Sequence, residues 1–182
     1  MNAPIPTPKL NTAGPAITVQ TVRSPGGIEA WLVEEHSLPL IAVDFAFDGG
    51  TSRDPENGAG SAYLVSGLLD EGAGDLDAEA FQGRMADHAI SLGFDARRDD
   101  FHGQLQTLSS HRDTAFELLA LALNQPRFDE DAVARVRAQI IAGLQRQARN
   151  PEVMCRNALY AAAFPGHPYG RPCAPTSPTK IR

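Results

Sequence analysis

Gly60-Ser-Ala-Tyr-Leu-Val-Ser-Gly-Leu-Leu-Asp-Glu-Gly-Ala-Gly74 is the stretch on which the reading of this chain turns. Leu64, Val65, Leu68 and Leu69 recur at helical spacing, so Ser61 to Leu69 reads as a buried helix. Glycines flank it on both sides. Gly72-Ala-Gly74 superficially matches a phosphate-binding loop, but it follows a helix instead of a strand and so reads as a helix-terminating turn.

Upstream, Asp48 to Gly60 is a long polar loop rich in glycine, aspartate and proline. Before it, Leu40 to Phe47 is the clearest strand. Ile41, Val43, Phe45 and Phe47 share one face, and Leu40, Ala42 and Ala46 share the other around Asp44. Apolar residues on both faces predict a central strand. Ile17 to Arg23 and Ile28 to Glu35 read as a hairpin about Ser24-Pro-Gly-Gly27. Residues 1–15 read as a disordered, proline-bearing lead-in.

Downstream, Asp77 is suited to cap a helix running through Phe81, Met85 and Ala89 and stopping before Gly93. Phe94 to Arg98 and Phe101 to Leu108 read as strands. In the second, Phe101, Gly103, Leu105 and Thr107 share a face opposite His102, Gln104 and Gln106. Arg112 to Asn124 follows as a helix, with Phe116, Leu119, Ala120 and Leu123 as its stripe. Asp129 is placed to cap a long helix whose Val133, Val136, Ile140 and Leu144 point inward. Pro151 opens a last helix through Met154, Ala158 and Ala162. Residues 173–182 have no period and read as an irregular tail, so the ordered domain is expected over residues 16–172.

The chain has 182 residues, with 42% hydrophobic and 21% charged, the balance of one ordinary globular domain. Its formal charge of −6 argues against a nucleic-acid partner, which needs a basic face. No apolar run is long enough to span a membrane, and Met1 to Thr12 lacks the apolar core of a secretory signal. As written, the chain is expected in the cytoplasm. Cys155 and Cys173 show no ligand or redox spacing, and Cys155 reads as a small packing residue on a helix. His36, His88, His102, His111 and His167 form no H-x3-H pair and read as separate surface or loop residues. Asp70 and Glu71 read as polar residues where the first helix reaches solvent, in preference to a carboxylate metal site. Arg135, Arg137, Arg146 and Arg149 read as a solvated helix face, with an interaction surface as the alternative. There is no G-x-S-x-G elbow and no Walker loop.

Several spaced segments resemble one half of the pitrilysin/insulinase (M16) peptidases. Phe47-Asp-Gly-Gly-Thr-Ser-Arg-Asp-Pro55 resembles that family's passage into its active helix, and Gly58-Ala-Gly-Ser-Ala62 the start of the helix. Asn124-Gln-Pro-Arg-Phe-Asp129 resembles its lead into a long helix, Asn150-Pro151 the exit, and His167-Pro-Tyr-Gly-Arg-Pro172 a further recurrent segment. The resemblance spans about Ile17 to Pro172. It implies an α+β fold, a mostly antiparallel sheet with helices packed on one face, as in the LuxS-like and M16 metallohydrolases.

Active members carry an inverted zinc motif, His-x-x-Glu-His, on the first helix. Two imidazoles at i and i+4 share a helix face and meet one zinc, and the glutamate beside them activates its water. Here those degenerate motif positions are Tyr63, Ser66 and Gly67. The family's distal glutamate ligand falls near Ala142-Gly143, and no Asp or Glu occurs from Ala132 to Pro151. The resemblance therefore implies no catalytic residue, no metal ligand and no cofactor here, zinc belonging to an active homologue. The expected role is a non-catalytic partner of a zinc-bearing M16 homologue, helping to enclose a peptide substrate. The alternative expectation is a truncated subunit without independent activity, drawn from the change of pattern after Pro172. Family analogy adds the periplasm as an alternative compartment.

Overall fold

The computed structural model describes residues 18–55 and 58–171. The expected lead-in and irregular tail lie outside the described residues. The chain divides into two compact units, meeting at Leu38 and Pro39.

The first unit is a hairpin of β1 (Gln20–Arg23) and β2 (Glu29–Leu32), antiparallel with Gln20 opposite Leu32 and Arg23 opposite Glu29. The turn is closed by Gly27 N donating to the Ser24 carbonyl at 3.0 Å, and by Ile28 N donating to Ser24 Oγ at 3.0 Å. Gly27 has φ +88°, a conformation other residues adopt only with strain, which explains why the turn ends on glycine.

The second unit is built on a three-stranded antiparallel sheet in the order β3 (Leu40–Asp48), β5 (Asp100–Leu108), β4 (Ser91–Ala96). β5 is central and behaves as its alternation predicts. Gly103, Leu105 and Thr107 are buried, while Gln104 and Gln106 face solvent. Helices cover the buried face only, which gives the expected α+β arrangement. β3 is not the central strand of this sheet but its edge. Its second face, Leu40, Ala42, Asp44 and Ala46, is exposed throughout. Two alanines beside Asp44 carry too little apolar surface to require a second covering layer.

α1 (Ser61–Ser66) is followed by α2 (Ala78–Asp87), α3 (Arg112–Asn124), α4 (Glu130–Gln147) and α5 (Pro151–Ala163). The Asp77 side chain caps α2 by accepting from Ala80 N at 2.9 Å. Asn150 caps α5 in the same way through Glu152 N, also at 2.9 Å. Asp129 precedes α4 as expected, but its carboxylate pairs with Arg127 at 2.7 Å and accepts no cap bond. Phe81 and Met85 of α2 and Ala115, Leu118, Leu119 and Ala122 of α3 close over Ile90, Leu92 and Leu105, forming the core. Among the described residues no helix is long and apolar enough to cross a membrane.

Several boundaries and faces differ from expectation. α2 stops at Asp87, because Ala89 adopts φ +51° and turns the chain so that Ile90 enters the core. β4 begins at Ser91, three residues before Phe94; Gly93 sits within the strand opposite Gln104. α3 buries Ala115, Leu118, Leu119 and Ala122 and leaves Phe116 43% exposed. This helix is apolar on most sides, so two stripes fit its sequence and the smaller residues pack closest. On α5, Val153, Asn157 and Tyr160 are half-buried, while Met154 and Ala158 are exposed. Cys155, read as a packing residue, is also exposed. Of the α4 residues expected to face inward, only Val136 is fully buried.

Candidate functional site

The loop that leads into α1 is anchored by its own backbone. Thr51 N donates to the Arg97 carbonyl at 2.7 Å and Ser52 N to the Arg98 carbonyl at 2.9 Å. Gly50 lies so close to the β4–β5 turn that a Cβ there would sit 1.9 Å from the Arg97 carbonyl oxygen. Asp54 then reaches forward and caps α1, accepting from Gly60 N at 2.6 Å and Ala62 N at 3.0 Å. A carboxylate at this end suits the unpaired amides and the helix dipole.

α1 and its C-cap hold Tyr63, Ser66 and Gly67, the positions at which the resemblance places the zinc motif. Ser66 Oγ donates to the Tyr63 carbonyl at 2.9 Å, and Ser66 is only 7% exposed. Gly67 caps the helix, its N–H bonding to the Leu64 carbonyl at 3.2 Å. The helix therefore ends at Ser66, short of the expected Leu69, and residues 67–70 continue in turns. A Cβ built on Gly67 would lie 3.1 Å from Val136 Cγ1. Val136 is itself 4% exposed, so even a methyl group at position 67 is tight against α4. Ala142 and Gly143, where the distal ligand was expected, lie about two turns further along α4. A Cβ at Gly143 would meet nothing within 4 Å.

Beyond the helix, Asp70 and Glu71 do not simply reach solvent. Arg135 engages Glu71 with both guanidinium nitrogens, Nη1 at 3.0 Å from Oε1, and the Glu71 side chain is 16% exposed. Arg135 itself stays on the exposed face expected of it, its side chain 47% exposed, while making this ion pair. Asp70 receives Gln82 Nε2 at its carbonyl at 2.9 Å. Burial raises the Asp70 carboxyl above the usual range, an effect its own backbone hydrogen bond offsets in part and the neighbouring Glu71 charge reinforces. A ligand set needs donors that converge. A phenol, a bonded hydroxyl and a glycine do not provide one, so the residues here do not fit zinc. Among the described residues no group of three His, Cys, Asp or Glu is placed to hold a metal ion.

Two histidines separate in sequence are brought together. His88 and His111 have ring centroids 5.1 Å apart, with His111 Nδ1 2.6 Å from the His88 carbonyl and His88 Nδ1 2.9 Å from that of Arg84. Each Nδ1 faces a carbonyl oxygen, which requires the proton on that nitrogen. No spacing rule reveals this pair, since it joins the end of α2 to the start of α3. His102 lies 3.5 Å from the exposed Asp44 carboxylate across the outer sheet face.

The β4–β5 turn also receives the segment His167 to Arg171. The Arg98 guanidinium donates to the Tyr169 carbonyl at 2.5 Å and lies over the Tyr160 ring, 4.2 Å from its centroid. Tyr169 Oη donates to the Asp99 carboxylate, and that bond raises the phenol above its ordinary range. Two segments that carry the family resemblance, before α1 and after α5, thus meet at Arg97-Arg98-Asp99. Neither Arg98 nor Asp99 stands out in the sequence.

The insulinase model of peptidase family M16 matches residues 32–177. A non-peptidase homologue, YmxG of Helicobacter pylori (strain ATCC 700392 / 26695), is 30% identical over 135 residues, covering 74% of this chain and 31% of the relative. The crystal structure of a peptidase M16 inactive domain from Pseudomonas fluorescens superposes with a TM-score of 0.79 at 29% identity, over 86% of this chain and 38% of that one. A protease from Helicobacter pylori shares the fold, with a TM-score of 0.77 at 18% identity over 91% of this chain and 40% of that one. The chain thus spans about a third of the length of the curated relative, 31%. With the family model covering most of the described residues, the chain belongs to the insulinase family of peptidases, family M16.

Proposed function

We propose that this chain is a non-catalytic M16 domain that forms part of a peptide-enclosing chamber, with a zinc-bearing homologue carrying out the hydrolysis. The observation that supports this most is the contact of Gly67 with Val136. Position 67 has no donor side chain, and Val136 of the neighbouring helix leaves a Cβ there little room. Ser66 has no base within hydrogen-bonding distance, its hydroxyl being bonded to a main-chain carbonyl. The two similar proteins described as a non-peptidase homologue and an inactive domain agree with this reading.

The test is to purify the chain alone and together with a zinc-bearing M16 homologue. The chain alone is expected to hold no stoichiometric zinc and to show no chelator-sensitive peptide hydrolysis. The two together are expected to co-elute and to hydrolyse peptide faster than the homologue alone. Separate elution with unchanged turnover would defeat the partner role.

A further inference from the structure

The arginines of α4 and of the turn after it differ in their partners. Arg135 is held by Glu71, whereas Arg146 and Arg149 have no ion pair among the described residues. These two flank an open hollow of about 550 Å³ lined by Ala142, Gln145, Arg146, Ala148 and Arg149. Residues 142, 145, 146 and 149 fall at i, i+3, i+4 and i+7, one stripe of the helix and the turn that follows. Ala142 and Ala148 contribute small side chains to its lining, Gln145 an amide, and Arg146 and Arg149 a guanidinium each.

Nothing in the surrounding sequence neutralises this charge. No Asp or Glu occurs from Ala132 to Pro151. Glu152 is the nearest carboxylate in sequence, and its backbone N–H donates to Asn150 Oδ1 at 2.9 Å. Outside the described residues, positions 1–17 and 172–182 contain no Asp or Glu, and Glu56 is the one carboxylate side chain. The hollow is thus cationic on a chain whose net charge is −6.

We infer that this face of α4 is a docking site for an acidic peptide segment. Arginine forks bind carboxylates in a bidentate manner, and a pair beside small side chains admits a backbone as well as side chains. The stripe is about 10 Å long at 1.5 Å per residue, the length of roughly three extended residues. Carboxylates at positions i and i+2 of an extended segment point to the same side. The matching chemistry is therefore Glu-x-Glu or Asp-x-Asp. Nucleic acid fits less well, because a long polyanion would also meet the surplus negative charge of the chain. This site goes beyond the proposed partner role and needs no zinc-bearing homologue, so the two can fail separately.

The test titrates the full chain, alone, into a short fluorescein-labelled peptide carrying Glu-Leu-Glu in a Gly-Ser background, read by anisotropy. Binding is expected to weaken with salt and to be at least about tenfold tighter than for the Gln-Leu-Gln peptide. Arg146→Glu/Arg149→Glu is expected to lose at least about tenfold, while Arg137→Glu, the same charge change on the other side of α4, stays near the parent. Arg146→Gln/Arg149→Gln, which keeps helix propensity, repeats the comparison should the charge-reversed chain melt early. Equal affinity for the two peptides, equal loss from Arg137→Glu, or tighter binding of a short single-stranded oligonucleotide would each overturn the inference.

Discussion

The Arg98 guanidinium lies 4.2 Å from the centre of the Tyr160 ring and donates to the carbonyl of Tyr169, so one side chain from a hairpin turn holds both α5 and the segment after it. None of the α5 residues is fully buried, which leaves the helix with little apolar packing of its own. Arg98→Ala should therefore cost about 1–3 kcal/mol, combining a lost cation–π contact and a charged hydrogen bond. The loss should be local. Hydrogen exchange is expected to quicken across Pro151–Ala163 while β5 keeps its protection. Uniform quickening over both elements would mean that Arg98 does not act as this tether.

The second prediction contrasts two glycines. Gly50 would place a Cβ 1.9 Å from the Arg97 carbonyl oxygen, which is backbone and has little room to give. Gly143, inside α4, would place one in open space. Gly50→Ala should destabilise by about 1–3 kcal/mol. Gly143→Ala should stabilise by about 0.5–1 kcal/mol, through the lower helix propensity of glycine. Urea midpoints shifting in opposite directions would bear this out, and a shared direction would contradict it.

The pH dependence of stability should bear the mark of Asp70. Burial raises its folded-state carboxyl above the unfolded value. A raised acid favours the folded state most where it is protonated in both forms. That advantage is lost as pH climbs from the unfolded value, about 3.9, through the folded one. Asp70→Asn should consequently be more stable than the parent at neutral pH and lose that advantage toward pH 3. Gln82 can still bond the position through the main-chain carbonyl, so the variant keeps its neighbour. A constant difference across the range would rule out the titration as its cause.

How much of this was legible in the sequence depends on how locally each feature is determined. The alternation along β5, the Asp77 cap, the Ser24–Gly27 turn and the Asn150-Pro151 start are decided within a few residues, and all appear as read. The face of α3 and the place of β3 in the sheet depend on what lies opposite, which a local pattern of alanines and leucines does not reveal. The expectation at Tyr63, Ser66 and Gly67 could be formed from residue identity and the family resemblance alone. Their surroundings could not be read. That Val136 would close on Gly67, that Arg135 would engage Glu71, and that His88 would meet His111 are long-range pairings with no marker at either end.

The closure at Gly67 makes the last prediction. Introducing the motif as Tyr63→His/Ser66→Glu/Gly67→His supplies three side chains, one of them at a crowded position. The new Cβ at position 67 stands 3.1 Å from Val136 Cγ1, and the imidazole must extend beyond it. The backbone itself does not resist, since φ is −88° there and any residue can adopt it. The cost is then one of packing, about 1–3 kcal/mol, and Val136→Ala added to Gly67→His should return part of it. Zinc remaining after desalting should stay well below one equivalent in the triple variant, because α4 offers no carboxylate from Ala132 onward. Adding Gly143→Glu tests whether the distal position can be rebuilt as well. Stoichiometric zinc in the triple variant alone would show that the α1 substitutions suffice to build a zinc site.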